Sequence, residues 1–510
     1  MPNCIQLTGE LSSLLTIFVV IGFLASNTHA IRGLHHYDIM NLGRELEGKE
    51  GPTFDDSYDD KKCPGEKKET IVVGYINQTL DNFGTNNRTW GQYYQVNDRY
   101  WNKNETDGTK IILVIGGEMG VNNGFICKET LTHMVAAKKH GARVLQVNHR
   151  FFEGNQNMGT LDVENLKYLT VEQALYDLYR FIEKFNKQEN MTNPKYATLS
   201  AYMRLVFPNA TQGNIASSAV LYPLIDFWRY AEVMEEVYDT IPGCSANIAQ
   251  AFRTLNSLAL TDEGRQNLTK DLHINPPLSS ENTELENDLN TIKLAVFDAF
   301  QWVVQYNYIN TNATRRGDGW LTIDNACKIM STEEDDLKKI YNIYNMLHPS
   351  MAANTPMNSN YHTFLKRMLY IEIKGQGAAD RGWWYLACSE FGLWFQTTNN
   401  NGIFGNVVSL GFLKKICSDL FDGRTNSQTI TENNVFSHLT AGAAHTADMY
   451  DPYANEPEGL KESRALVHEK IDFFFTLEST WKEKTPSGSM TIAATDSLMI
   501  FLGVIFVLLK

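Results

Sequence analysis

Two kinds of apolar pattern divide the chain. Up to about residue 220, short unbroken apolar runs alternate with amphipathic stretches. Residues 71–75 (IVVGY) are β-rich, and a second aromatic segment closes at 98–101 (DRYW). Residues 110–115 (KIILVI) are apolar almost throughout and stop at Gly116-Gly117-Glu118-Met119-Gly120, the pattern of a strand buried on both faces that feeds a glycine turn. Residues 142–147 (ARVLQV) repeat it. Helices are predicted at 129–140 and 171–185, and in the second of these Ala174, Leu175, Leu178, Phe181 and Ile182 fall on one face. Strands and helices alternating in this way predict a parallel sheet with right-handed crossovers.

From 221 to 396 the alternation stops. Residues 227–238, 246–258, 287–305 and 333–347 read as helices joined by polar loops, a mostly helical insertion. After it, Val407-Val408-Ser409-Leu410 and Asn434-Val435-Phe436 read as the return to the sheet, and 457–477 as a closing amphipathic helix. The expected organisation is a first core part over 71–220, a helical cap over 221–396 and a last core part over 397–483. A polar lead over 31–70 carries the acidic run Asp55-Asp56-Ser57-Tyr58-Asp59-Asp60 ahead of Lys61-Lys62, which reads as solvated linker. No repeat of solenoid period is visible.

Composition narrows the class of partner. A chain of 510 residues with 43% hydrophobic and 20% charged residues can bury a sizeable core. Its formal net charge of -14 argues against nucleic acid. Residues 14–24 (LLTIFVVIGFL) form the apolar region of a signal peptide, and Thr28-His29-Ala30 supplies small residues for cleavage, so 1–30 is read as a leader. Its first residues carry Glu10 and no Lys or Arg, and the alternative is a signal anchor. At the other end, 498–509 (LMIFLGVIFVLL) falls short of the roughly 20 residues that span a bilayer. Ser487-Gly488-Ser489 and the spacer 490–497 match a glycolipid attachment signal, so 484–510 is read as a lipid-anchor signal or short membrane tether, with plain secretion as the alternative.

Cysteines and sequons fit an oxidising compartment. Setting aside Cys4 in the leader, Cys63, Cys127, Cys244, Cys327, Cys388 and Cys417 include no C-x-x-C pair, which favours disulfides over metal; no metal site and no cofactor are expected. N-x-S/T acceptors for glycosylation occur at Asn77, Asn87, Asn104, Asn190, Asn209, Asn267 and Asn312.

Two stretches bear on chemistry. The glycines at 116, 117 and 120 lack the G-x-G-x-x-G spacing of a nucleotide site. A tight turn whose N–H groups face a pocket is the commoner use, and in hydrolases such a turn supplies part of an oxyanion hole. Residues 166–218 read as a helix, a polar loop, a strand that barely starts and a second helix. In an α/β-hydrolase this is the place for a G-x-S-x-G nucleophile elbow. No such pentapeptide occurs: Lys195-Tyr196-Ala197-Thr198-Leu199 passes straight into Ser200-Ala201-Tyr202-Met203-Arg204.

Segments spread along the chain then match one family in order. They are Gln78-Thr79-Leu80-Asp81-Asn82-Phe83, Val96-Asn97-Asp98-Arg99-Tyr100-Trp101, Gly116-Gly117-Glu118, His149-Arg150-Phe151-Phe152, Glu164-Asn165-Leu166-Lys167-Tyr168-Leu169 and Gln173-Ala174-Leu175. Ala216-Ser217-Ser218-Ala219, Arg381-Gly382-Trp383-Trp384, Cys388-Ser389-Glu390-Phe391-Gly392, Ala444-His445 and Ala447-Asp448-Met449-Tyr450 follow. Over about 71–475 the chain resembles the prolylcarboxypeptidase / dipeptidyl peptidase II family of serine peptidases, nematode-type members included. The resemblance implies an α/β-hydrolase core with a helical cap before the last strands, a peptide substrate or ligand, and a homodimer. It also implies a Ser-Asp-His triad that removes residues next to proline from peptide ends. By the family pattern Cys388 pairs with Cys417 and Cys244 with Cys327, and Cys63 and Cys127 remain as a third pair.

A triad needs a hydroxyl, an imidazole to take its proton and a carboxylate to orient the imidazole. His445 stands where the family has its histidine, after Thr440-Ala441-Gly442-Ala443-Ala444. The serine block between Tyr196 and the following helix is shortened; Ser200 aligns in the helix, and Ser217 and Ser218 match a pair that is not catalytic. The aspartate block is gone as well, since Asn434-Val435-Phe436-Ser437 runs directly into His438-Leu439-Thr440, and Asp448 matches a position after the histidine. Asn148 replaces the family's glutamate before His-Arg. Three readings follow: an inactive relative kept as a secreted or tethered binding protein, a family enzyme whose sequence here lacks two coding blocks, and an adhesion or receptor ectodomain built on a dead hydrolase fold.

Overall fold

Among the described residues, six strands form one sheet in the order β1-β2-β4-β3-β5-β6: β1 Ile71–Thr79, β2 Thr89–Asn97, β3 Lys110–Ile115, β4 Arg143–Val147, β5 Lys195–Thr198 and β6 Gly213–Asn214. The computed structural model describes residues 61–63, 68–106, 108–117, 120–121, 123–191, 193–198, 201–216, 225–305, 307, 322–347, 356–391, 398, 401–423 and 458–477. The leader at 1–30, most of the polar lead, the return strand at 434–436 and the tail at 484–510 lie outside them. The pairs β1/β2 and β2/β4 are antiparallel, and β4/β3, β3/β5 and β5/β6 are parallel. A hairpin turn suffices for the first pair, whereas the parallel ones need crossover helices.

Those helices are α1 Gly124–Cys127 and α2 Thr132–His140 after β3, α3 Val163–Leu166 and α4 Val171–Gln188 after β4, and α5 Ala201–Val206 after β5. The helical part follows as α6 Arg229–Asp239, α7 Cys244–Leu258, α8 Asp262–Asp271, α9 Leu285–Gln305, α10 Ile323–Met330, α11 Asp336–Leu347, α12 Tyr361–Lys366, α13 Gly375–Leu386 and α14 Leu410–Leu420, and α15 Glu458–Thr476 closes the described chain. A single π turn, Ala387–Phe391, extends α13. Two further strands of two residues each, β7 Ile274–Asn275 and β8 Met357–Asn358, pair among these helices.

The two faces of the sheet are covered by different helices, as a period of two residues requires. Ile111, Leu113 and Ile115 of β3, with Leu145, Val147 and Tyr196, pack under Leu175, Leu178, Phe181, Ile182 and Phe185 of α4. Ile112 and Val114, with Val144 and Ala197, meet Met134, Ala136 and Ala137 of α2 and Val467, Ile471, Phe474 and Phe475 of α15. Helix α4 starts where Thr170 caps it, accepting from the Gln173 N–H at 3.2 Å. This α/β/α layering, with an antiparallel start to a parallel sheet, is the α/β-hydrolase fold.

The helical part shares one core with the loop that follows β4. At its centre the Phe404 ring meets those of Phe252, Phe297 and Phe300 at 5.0, 5.1 and 6.2 Å. Three disulfides hold the architecture: Cys63–Cys127 ties the lead to α1, Cys244–Cys327 joins α7 to α10, and Cys388–Cys417 joins the π turn to α14. The last two are the pairs that the resemblance implied, and the first is the pair left over by elimination.

One predicted element is corrected. Val407-Val408-Ser409-Leu410 is not a strand. Both valine N–H groups donate to Thr398 Oγ1, at 2.9 and 3.1 Å, and Ser409 is the N-cap of α14, accepting from the Phe412 N–H at 3.2 Å. Two β-branched residues set the local preference, but the cap and the helical spacing of Phe412, Leu413, Ile416 and Leu420 outweigh it.

Helix α15 fits because β6 carries a glycine. A Cβ at Gly213 would lie 2.2 Å from the Phe474 ring, so any side chain pushes the helix off the sheet. Gly213→Ala is expected to cost about 1–3 kcal/mol, the usual range for overpacking. Urea unfolding checks this, and the cost should shrink in a Phe474→Ala background. Unchanged stability of the single variant would mean that α15 does not dock here.

Candidate active site

Parallel sheets place their ligands at the carboxyl ends of the strands, and here those ends are tied together. The Gly116 N–H after β3 donates to Val147 O of β4 at 2.7 Å. A Cβ at Gly116 would come within 2.8 Å of that same oxygen, so the approach needs glycine. Asn148, fully buried, fixes the next layer. Its N–H donates to Tyr93 O at 2.9 Å, its Oδ1 accepts from the Val121 N–H at 3.0 Å, and its Nδ2 donates to Glu153 O. A carboxylate in this place could accept from Val121 but not donate to Glu153. Asn148 therefore joins the glycine turn to the turn after β4.

Next to it stands an ion pair removed from water. Arg150 and Asp177 are 0% and 1% exposed. Nε and Nη2 of Arg150 donate to the two oxygens of Asp177 at 2.7 and 2.9 Å. Nη1 donates to Leu80 O at 3.0 Å and Tyr168 O at 2.6 Å. Burial pushes the Asp177 carboxyl up, and the Arg150 charge pulls against it.

Around the pair, segments distant in sequence form one polar cluster. The Asn82 N–H donates to Gln173 Oε1 at 2.8 Å, and its side chain donates to Asp177 Oδ1 at 3.1 Å. Gln78 Nε2 donates to Gln92 Oε1 and to Asp177 O, at 2.7 and 2.8 Å, and Gln92 Nε2 donates to Asn148 O at 2.9 Å. The 78–83, 148–152 and 173–177 segments are thus parts of a single structure.

His149 is held as structure. Its Nδ1 is 3.0 Å from Arg150 O, its ring meets Phe152 edge to face at 5.4 Å, and burial pushes it down to about 4, so it is neutral at pH 7.

The helical part clamps down on the same loop. Arg381 donates to Leu161 O of the core at 2.7 Å and to Met368 O and Leu420 O at 2.8 and 3.2 Å. Gly382 packs against Phe152 and Leu169, where a Cβ would stand 3.3 and 3.8 Å away. Glu390, in the π turn, accepts from the Val171 N–H at the start of α4 at 3.1 Å. Burial raises its carboxyl, and the Val171 N–H lowers it.

Strand β5 is short. It pairs with β3 from Lys110↔Lys195 to Leu113↔Thr198, while β3 continues through Val114 and Ile115. It is anchored by its neighbours: Tyr196 OH donates to Asn186 Oδ1 at 2.6 Å, and the Gln212 N–H donates to Tyr196 O at 2.9 Å. Residues 199 and 200 lie outside the described residues, and α5 begins at Ala201. His445, Ser200, Ser217, Ser218, Asp448 and Glu118 also lie outside them, so the described residues include none of the predicted triad positions. Among the described residues no cluster of three or more His, Cys, Asp or Glu could hold a metal ion.

Sequence reasoning missed the roles of Asp177, Arg381 and Glu390. For Asp177 a signal existed: it sits beside Ala174 and Leu178 on the apolar side of α4, where a charge has to be paired.

Comparison with known proteins agrees with this architecture. A family model described as serine carboxypeptidase S28 matches residues 78–439. The chain is 29% identical to a Caenorhabditis elegans protein whose name calls it a serine protease, over 90% of this chain and 91% of that protein. It is 27% identical to human lysosomal Pro-X carboxypeptidase, over 67% and 68% of the two chains. A second Caenorhabditis elegans relative, prolyl carboxy peptidase like protein 5, is 26% identical over 66% of this chain and 65% of its own.

Two outcomes test the scaffold. Arg150→Met or Asp177→Leu alone leaves a buried charge without its partner and should cost about 3–5 kcal/mol in urea unfolding. The double variant should cost less than the sum, and additive losses would show that the two charges act independently. The second outcome concerns His133 and His149, both pushed down to about 4 by burial. The unfolded chain takes up protons below about 6.5, so each imidazole's contribution is full above that pH and lost as pH falls toward 4. His133→Phe should flatten stability against pH over this window by up to one proton, and an unchanged slope would place His133 in water.

Proposed function

The chain belongs to the serine carboxypeptidase S28 family, and on that premise we propose that this product is an inactive member that binds peptides or a protein partner through the family's scaffold. The carrying observation is β5: it runs four residues from Lys195 to Thr198, and only Leu199-Ser200 separate it from α5, with no G-x-S-x-G turn in the sequence. An imidazole without its nucleophile has nothing to activate. In a triad enzyme, losing the nucleophile costs on the order of a millionfold in rate. His445 is the triad position that survives in this reading, without its serine and aspartate. The ligand class is that of the lineage, peptides with proline near an end, and the homodimer belongs to the same proposal. The domain division proposed is 71–220, 221–396 and 397–483.

A second reading is favoured by what β5 leaves behind. Val114 and Ile115 of β3 are buried and extend past it, with no pairing on that side among the described residues, and an uncovered ladder is costly. The three disulfides and the Arg150–Asp177 cluster are intact beside it. An active family enzyme from a transcript carrying two additional coding blocks accounts for both facts.

We place the chain in the secretory pathway. The leader at 1–30 supports this, as do the three disulfides, and the side chains of Asn77, Asn87, Asn104, Asn190, Asn209 and Asn267 are all exposed. Among the described residues no helix is long and apolar enough to cross a membrane.

The purified chain should neither label with a fluorophosphonate probe nor release amino acids or dipeptides from proline-containing peptides. Labelling or turnover would sink the inactive reading. Sequencing the transcript across codons 196–199 and 437–439 separates the two readings, since added blocks at both places would establish the second.

A further inference from the structure

Among the described residues, β1 is an outer strand of the sheet, and outer strands are where sheets of two molecules join. Its register shows which backbone groups face out. Gly91 of β2 exchanges both of its hydrogen bonds with Gln156, at 2.9 Å each, on the side away from β1. Asn77, opposite Gly91, therefore sits in a non-hydrogen-bonded pair, and its N–H and C=O point outward. Tyr93 likewise accepts the Asn148 N–H, so its partner Tyr75 points outward, and by the period of two so do Ile71 and Val73.

The two ends of this row are closed. The Ile71 N–H donates to Lys61 O at 3.0 Å, and Lys184 Nζ donates to Asn77 O at 2.5 Å. Between them, Val73 and Tyr75 offer open backbone among the described residues. Val72 and Tyr75 are 59% and 44% exposed beside it. An extended, apolar, open segment of this kind pairs readily with another strand.

We propose that Asn77 carries an N-linked oligosaccharide and that this sugar closes the open edge of β1. Asn77-Gln78-Thr79 is an acceptor sequence, and Asn77 is exposed two residues from Tyr75 on the same face of the strand. In the transfer the Asn77 Nδ2 attacks the anomeric carbon of a polyprenyl-diphosphate-linked oligosaccharide. The C–N bond forms, the C–O bond to the diphosphate breaks, the amide loses one proton to the transferase, and the lipid diphosphate leaves. Asn87, Asn104, Asn190 and Asn209 lie in connections and Asn267 on α8, so sugars there shield no open strand. The inference rests on the secretory reading.

The test is peptide mapping of the full chain, expressed through a eukaryotic secretory pathway and treated with peptide N-glycosidase in ¹⁸O water. Asn77 is expected to convert to labelled aspartate. Asn77→Gln and Thr79→Ala are each expected to raise the aggregated fraction several-fold at an unchanged far-UV spectrum. Thr79→Ser, which keeps the acceptor, and Asn190→Gln should not. An unmodified Asn77 beside modified Asn104 or Asn190 overturns the site and leaves the secretory reading standing. No modified sequon overturns both. Full occupancy of Asn77 with no greater aggregation of Asn77→Gln than of Asn190→Gln overturns the role given to the sugar.

Discussion

The bidentate pair between Arg150 and Asp177 is the constraint on which the candidate site depends. A buried ion pair is weak evidence for stability, because removing two charges from water offsets most of their attraction. Its effect is on choice of structure. Once either charge is buried, the other must be delivered to within bonding distance, and here each comes from a different element. Arg150 brings the loop after β4 and Asp177 brings α4. Nη1 donates to Leu80 O and Tyr168 O, so the residue after β1 and the entry to α4 are set as well. No member of that cluster is a triad residue. The scaffold can therefore persist whether or not the chemistry does.

Helix α4 is also where the helical part attaches. Its first turn presents free N–H groups and the positive end of the helix dipole, which an anion stabilises. The Glu390 carboxyl accepts one of these N–H bonds from the π turn, and the Cys388–Cys417 bond holds the turn that carries it. Arg381 adds a neutralising contact of another sort, a guanidinium shared among three carbonyls of two layers. The loop after β4, the start of α4 and the helical part are thus fixed to one another.

Much of the sheet was legible because its signal is local. The apolar runs at 110–115 and 142–147 became β3 and β4, and the face built on Ala174, Leu175, Leu178, Phe181 and Ile182 became α4. Strand β6, two residues long, carries no pattern to read. At 407–410 local preference misled, since valines before a serine resemble a strand until the cap is seen. The site was legible as text only. The 78–83, 149–152 and 173–175 segments could be matched to a family, but the hydrogen bonds between them join residues up to 92 positions apart and leave no periodic trace. Asp177 was half visible, as a charge on an apolar face. His445, Ser200, Ser217 and Ser218 lie outside the described residues and were placed by resemblance alone.

The docking of α15 has a consequence for how the molecule is made. The last described helix covers β5 and β6: Phe474 lies on Gly213, Lys195 Nζ reaches Phe475 O at 3.4 Å, and Asp472 binds Lys139 and His140 of α2. Synthesis delivers the sheet long before its cover. While the helical part emerges from the ribosome, α2 already covers Ile112 and Val114, but the part of that face around Ala197 and Gly213 still lacks its cover. Domains generally fold as units during synthesis, but this core cannot finish until its final turn of helix is released. The nascent chain must keep that part of the face from other surfaces until its closing helix is made.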